Sequence, residues 1–406
     1  MMTLQTILFV LIWLITLNYI LLILFFALGL DKLPTNKINN PLSQNPSNFC
    51  SFTVIIAARN EENKIIKCLT SIALQDYPND LFEVIVVNDQ STDNTEQLIN
   101  QFIGTASIKI RQLFTSGKGG KKEALRIGIL TANKEKVITT DADCIVPHCW
   151  ISEMNKWFQK TDAVFITGPV CLQPTKGFFN IFQCLEFNSL IASTAGSIGQ
   201  GIPIMSNGAN LGFDLKAYQT ITETIPQQSA DLMSQNYASG DDVFMMLSFK
   251  YFYGSNKISF MNSSASIVYT ETQSTLRDFL SQRSRWVSKS RGYSDRQVIY
   301  TAVTILCFNT ILLASIFLAL IQGFSLFPTT PGSNYLIPLT AIILFTSKII
   351  ADAVLLTKYL KRFGQYKLMR FLPLMELPVS FYTVVIGIIG NFKSFEWKGR
   401  AITQNK

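Results

Sequence analysis

The sequence predicts an α/β domain with a mostly parallel sheet, carried between N- and C-terminal transmembrane helices. From residue 51 onward, short β-branched runs alternate with polar loops and amphipathic segments, the pattern of parallel strands covered by helices on both faces. Acids gather just beyond those runs, at Asp89, Asp141 and Asp143, where open α/β sheets bind ligands. Of 406 residues, 48% are hydrophobic and the mean hydropathy is +0.25, too apolar for an ordinary soluble domain.

The elements follow in order. Residues 3–30 carry no charge and end at Asp31 and Lys32. That length exceeds the roughly 20 residues that cross a bilayer, and no small-residue cleavage pattern follows, so residues 1–30 are expected to form a retained anchor. A linker at 31–50 leads to a strand at 52–58, which ends in Arg59-Asn60-Glu61-Glu62 and opens a helical pattern through Ile65, Ile66, Leu69 and Ile72. A second strand at 82–87 runs into Asn88-Asp89-Gln90-Ser91-Thr92-Asp93, residues suited to capping the next helix. A third strand is expected at 108–113 and a fourth at 137–140, ending at Asp141. Between them, Gly117-Lys118-Gly119-Gly120-Lys121-Lys122 opens a helix. It lacks the G-x-x-x-x-G-K-[ST] spacing of a P-loop, which argues against an NTPase.

The sheet domain is assigned to 51–275, an interfacial helix to 276–296, a C-terminal membrane region to 297–391 and a basic tail to 392–406. Spans are expected near 298–321 and 335–356. Residues 371–390 are apolar but contain Pro373, Glu376 and Pro378, and a full crossing would carry Lys393, Lys398, Arg400 and Lys406 outside. A re-entrant segment is the alternative to a span there. Lys348 and Asp352 stand four residues apart in the third span and are expected to pair.

Arg283, Arg285, Lys289, Arg291 and Arg296 precede the second span, and Lys358, Lys361, Arg362, Lys367 and Arg370 follow the third. The positive-inside rule puts the sheet domain in the cytoplasm of a multi-pass cell-membrane protein. The net charge of +8 is thus read as orientation and contact with membrane lipids, not nucleic-acid binding. Seven cysteines without a C-x-x-C pair, and the single His148, make no zinc site and read as reduced thiols.

Asp141-Ala142-Asp143 places two carboxylates at a strand end. Alone such a pair is more often an Asx turn, but here oxygen donors suit Mg2+ or Mn2+ held jointly with phosphate. Asn60, Glu61 and Asp89 end the neighbouring strands, and Lys121 offers charge to a phosphate. Asp89 suits the base or ribose of a nucleotide, or a helix cap. Gly240-Asp241-Asp242 precedes an apolar helix; the acids either cap it or supply a general base. Residues 206–210 are small and polar, suited to lining an acceptor pocket. Gln282, Arg285 and Trp286 stand at i, i+3 and i+4, one side of a helix, where an amide, a guanidinium and an aromatic wall suit a diphosphate and a sugar ring.

Together these motifs resemble the membrane-bound family 2 glycosyltransferases of GT-A fold, the relatives of ceramide glucosyltransferase and of cellulose and hyaluronan synthases, over about residues 51–292. The resemblance implies that Asp89 and Asp141 contact a nucleotide-sugar and that Asp141 and Asp143 hold the metal. It also implies that Asp242, beside Asp241, deprotonates the acceptor, and that Gln282, Arg285 and Trp286 grip diphosphate and acceptor sugar. The expected reaction is inverting transfer from a UDP-sugar to a membrane-associated lipid. A processive synthase extending a glycan is the alternative, and a sugar-nucleotidyltransferase a remote one.

Overall fold

The computed structural model describes residues 4–34, 49–117, 119–173, 176–224, 241–324, 336–390, 395–397 and 400–402. Lys118, Gly240 and the turn between the second and third spans lie outside these residues. The chain opens with α1 (Leu4–Lys32), a single helix without a charge until its last turn. The sheet begins with β1 (Phe52–Ala58), followed by α2 (Ile65–Ala73), β2 (Phe82–Asn88), α3 (Thr95–Thr105), β3 (Ile110–Phe114), α4 (Lys121–Thr131) and β4 (Lys136–Asp141). Every residue of β2 is buried, as expected for a parallel strand covered on both faces. The third strand sits two residues later than expected, because its pairing with β2 starts at Val84↔Ile110 and ends at Asn88↔Phe114.

The second half supplies α5 (Trp150–Lys160), β5 (Phe165–Thr167), β6 (Val170–Leu172), α6 (Phe178–Gly199), β7 (Leu211–Asp214), α7 (Leu215–Thr224), α8 (Asp241–Tyr253), β8 (Ile258–Phe260) and β9 (Val268–Thr270). The main sheet runs β3-β2-β1-β4-β7-β5-β8, and β6 pairs with β9 in a second, small sheet. β7 runs antiparallel to both neighbours, β4 and β5, while the other pairs of the main sheet are parallel. The strand order turns back between β1 and β4, which opens a crevice beyond their carboxyl ends. Trp150 and Trp157 of α5 are fully buried and donate to Asn210 and Ser259, each at 2.9 Å. Truncating either to alanine costs about 3–5 kcal/mol, so α5 fixes the segment before β7 against the sheet.

α9 (Leu276–Ser288) leads into α10 (Arg296–Phe324), α11 (Leu336–Arg362) and α12 (Leu372–Ile389). Among the described residues, four helices are long and apolar enough to cross a membrane, at Thr6–Lys32, Arg296–Gln322, Leu336–Arg362 and Tyr366–Ile388. Residues 371–390 form α12, one unbroken helix that runs through Pro378. Pro373 sits in the first turn, where its missing N–H has no intrahelical partner to lose. At its far end, a Cβ built on Gly390 lies 3.1 Å from the Val287 side chain in α9. The C-terminal end of α12 is therefore beside the α/β domain. A final hairpin, β10 (Phe395–Trp397) and β11 (Arg400–Ile402), follows, with β10 against α9.

α1 is part of the domain wall. Its Gly29 packs against Gly196 of α6, and a Cβ on Gly196 would collide with the Phe26 carbonyl. Small residues permit this backbone approach.

Candidate active site

The loops beyond β1 and β2 are bound to each other. Asn60 and Gln90 adopt φ of 50° and 54°, a region that non-glycine residues enter at a cost. The Asn60 Oδ1 accepts from Thr92 N at 2.8 Å, Ser91 Oγ accepts from Asn60 N at 3.1 Å, and Thr95 Oγ1 accepts from Glu61 N at 2.7 Å. Those hydrogen bonds offset the strain and fix both loops. Asp89 is fully buried, and its Oδ1 accepts from Thr115 Oγ1 and Gly120 N, both at 2.7 Å. Arg59 donates to the Asp89 carbonyl at 2.6 Å. Asp89 thus braces the glycine-rich turn that starts α4.

That brace aims Lys121 at the end of β4, where its Nζ meets Asp141 Oδ1 at 2.5 Å. Burial pulls the Lys121 pKa down, but the Asp141 charge outweighs it and the ammonium is pushed up to about 12. Ligand atoms of Asp141, Asp143 and Cys144 all lie within 4.8 Å of one another. The sequence reading left Cys144 out. Burial, with the neighbouring carboxylates, raises its thiol well above 9, so it stays protonated and the donors are two carboxylates. That oxygen set fits a hard divalent cation.

Asp241 and Asp242 open α8 on the other side of the crevice. Asp242 keeps 22% of its side chain exposed; its Oδ2 accepts from Gly208 N at 3.1 Å, and Lys289 Nζ stands 3.5 Å from Oδ1. The Gly208 carbonyl accepts from Thr139 Oγ1 of β4 at 2.6 Å, so the 206–210 segment bridges β4 and α8. Asp241 is 6% exposed, and among the described residues its Oδ1 has no hydrogen-bond partner. Burial pushes its carboxyl up to about 6, against the pull of Lys122, Lys121 and Lys289.

Thr275 caps α9 by accepting from Asp278 N at 3.1 Å. Arg285 lies in the field of Asp141, Asp241 and Asp242; burial lowers its pKa while those acids raise it. Gln282 and Trp286 stand on the same helix at i and i+4, as expected, and their side chains reach Arg283. Gln282 Oε1 accepts from Arg283, and the Trp286 ring lies 4.2 Å from the Arg283 guanidinium carbon and 6.1 Å from the Phe187 ring. The buried Arg283 charge draws both, since an uncompensated ion inside the protein is costly. Lys289 was read from sequence only as part of the basic flank. Its position four residues after Arg285 was the available signal, because i and i+4 share a helix face.

A model of glycosyl transferase family 2 matches residues 53–198, and one of glycosyl transferase family group 2 matches residues 136–357. The poly(ribitol-phosphate) beta-N-acetylglucosaminyltransferase TarS of Staphylococcus aureus is 37% identical over 115 residues, 28% of this chain and 18% of TarS. The poly-beta-1,6-N-acetyl-D-glucosamine synthase of Staphylococcus epidermidis is 29% identical over 151 residues, 36% of each chain. The chain thus spans well under half the length of these relatives. The structure of mannosyltransferase PcManGT of Pyrobaculum calidifontis, in complex with GDP-Man and Mn2+, superposes with a TM-score of 0.49 at 17% identity, covering 93% of this chain and 97% of that one. The fold is α/β of GT-A type with a mostly parallel sheet. The family group 2 match takes in more than half of the 406 residues, and the chain belongs to glycosyl transferase family group 2.

Proposed function

We propose that this protein is an inverting glycosyltransferase that moves a sugar from a UDP-sugar to a membrane-associated lipid, with its α/β domain in the cytoplasm. One observation carries the reading: Asp141, Asp143, Asp241 and Asp242 meet Lys121, Arg285 and Lys289 beyond the strand ends, on the domain that packs on the apolar helices. Asp141 and Asp143 would hold Mg2+ or Mn2+, which offsets charge on the diphosphate. Asp242, the more exposed acid of its pair, takes the proton from the acceptor hydroxyl. The hydroxyl oxygen bonds to the anomeric carbon from the face opposite the leaving group, and UDP departs with the electron pair of the broken bond. Arg285, Lys121 and Lys289 face the negative charge that develops on UDP. Asn60, Glu61 and Asp89 shape the donor side through the loops they hold. Both named relatives handle N-acetylglucosamine in beta linkage, which supports a UDP-sugar donor and inversion.

A processive polysaccharide synthase is the second reading, favoured by the likeness to the poly-beta-1,6-N-acetyl-D-glucosamine synthase. Purified protein incubated with labelled UDP-sugars, with GDP-mannose as control, and extracted lipids separates the two. A labelled lipid with one equivalent of UDP supports the first reading, and a labelled polymer the second. Transfer from GDP-mannose alone would overturn the donor assignment.

A further inference from the structure

Arg283 lies two residues before Arg285, about 200° around a helix of 3.6 residues per turn. It is 2% exposed and meets Glu186 of α6 through Nη2 at 2.6 Å and Nε at 3.1 Å. Tyr382 of α12 donates to Glu186 Oε1 at 3.2 Å. The guanidinium also lies 4.7 Å from the Phe279 ring and 4.2 Å from that of Trp286. On the helical wheel, Phe279 and Trp286 lie within about 60° of Arg283, whereas Arg285 lies about 160° from it. Gln282, through its hydrogen bond, and Trp286, through its ring, hold the first arginine. A planar guanidinium fork bonded to a carboxylate fixes direction as well as distance, so the pair sets the rotation of α9 about its axis.

We propose that Arg283, gripped by Glu186 and Tyr382, is the positioning residue that aims Arg285 at the carboxylates of the site. The proposal rests on the glycosyltransferase reading for its consequence in catalysis, while its geometric content is independent of the substrate. Arg283 touches no reacting atom. It acts by holding α9 between α6 and α12.

The test uses the full-length protein with Glu186→Leu and Arg283→Met together. Removing both charges avoids the lone buried ion that would unfold either single variant. The expected melting temperature stays near that of the parent, while UDP affinity and sugar transfer each fall at least about tenfold, because Arg285 is no longer aimed. In an Arg285→Ala background the same pair of changes should lower transfer less than about twofold further, since coupled groups are non-additive. Losses that multiply would overturn the positioning role. A second readout follows α9 directly: in protein freed of native cysteines, Val287→Cys with Gly390→Cys should cross-link readily, and the charge-free pair should slow that reaction. Unchanged cross-linking overturns the proposal whatever the substrate. A parent protein that binds no UDP and transfers no sugar overturns the reaction class instead.

Discussion

Two charge clusters in this protein use the same side-chain types and are finished to different degrees. In the long apolar helices, Lys348 Nζ meets Asp352 Oδ2 at 2.6 Å and also Glu376 Oε2, and Tyr19 donates to Asp352 Oδ1 at 2.6 Å. Three helices, α1, α11 and α12, are tied at one point, and Lys348 and Glu376 are closed off from solvent. In the α/β domain the acids and cations are spread around a crevice, Asp141 and Lys121 each stay about one third exposed, and Asp241 keeps an oxygen without a partner among the described residues. A cluster saturated by its own chain serves the fold. One with spare capacity fits the ligand proposed for the crevice.

The comparison breaks first if the crevice tolerates loss of its acids. Asp141→Ala or Asp143→Ala should lower transfer by about 10²–10³ or more and weaken UDP binding in Mn2+; full activity in EDTA would remove the metal from the site. Asp242→Asn should lower turnover by about 10²–10⁴ while leaving calorimetric UDP affinity near the parent value, because a base acts on the acceptor. Loss of UDP binding in that variant would move Asp242 to the donor side.

In the helix cluster, Lys348→Leu alone should cost about 3–5 kcal/mol, seen as lost folded yield, because two acids are left without their cation. Replacing Lys348 and Asp352 together is not enough, since Glu376 would remain buried and alone. The triple change Lys348→Leu, Asp352→Leu and Glu376→Leu should restore yield with activity retained, and an inactive but well-folded triple variant would make the cluster functional.

The smallest effect sharpens the contrast from the other side. Asp241 titrates at about 6 in the folded domain against 3.8 for an ordinary aspartate. Between those values the folded state holds a proton that the unfolded state has released, so stability falls as pH rises from about 4 to about 6 and then levels off. Asp241→Asn should abolish that slope and add about 2–3 kcal/mol at pH 7, read as a melting-temperature profile in metal-free buffer. A parent protein with no slope in that window would show the carboxyl already paired.

Much of this was legible along the chain. β1, β2 and β4 follow from local composition, because strands buried on both faces must be continuous runs of apolar and β-branched residues. β7, antiparallel and four residues long, was not, since its place between β4 and β5 is set by pairing with distant strands. The strand-end position of Asp141 and Asp143 could be read from their offset to β4. The partner of Arg283 could not, because Glu186 lies almost one hundred residues earlier and only packing of α6 on α9 brings the two together. The continuity of α12 through Pro378 was also hidden, because a proline breaks a helix in water more readily than among packed neighbours.

The close fit of Gly29 on Gly196 has a consequence for how the protein is made. α1 leaves the ribosome first, and its partner face on α6 follows 167 residues later, from 29 to 196. At roughly 5–20 residues per second, α1 waits about 10–30 s with its glycine unmatched. Until α6 docks, the glycine face of α1 has no partner. A bulkier residue at position 29 would be felt only at that late docking step.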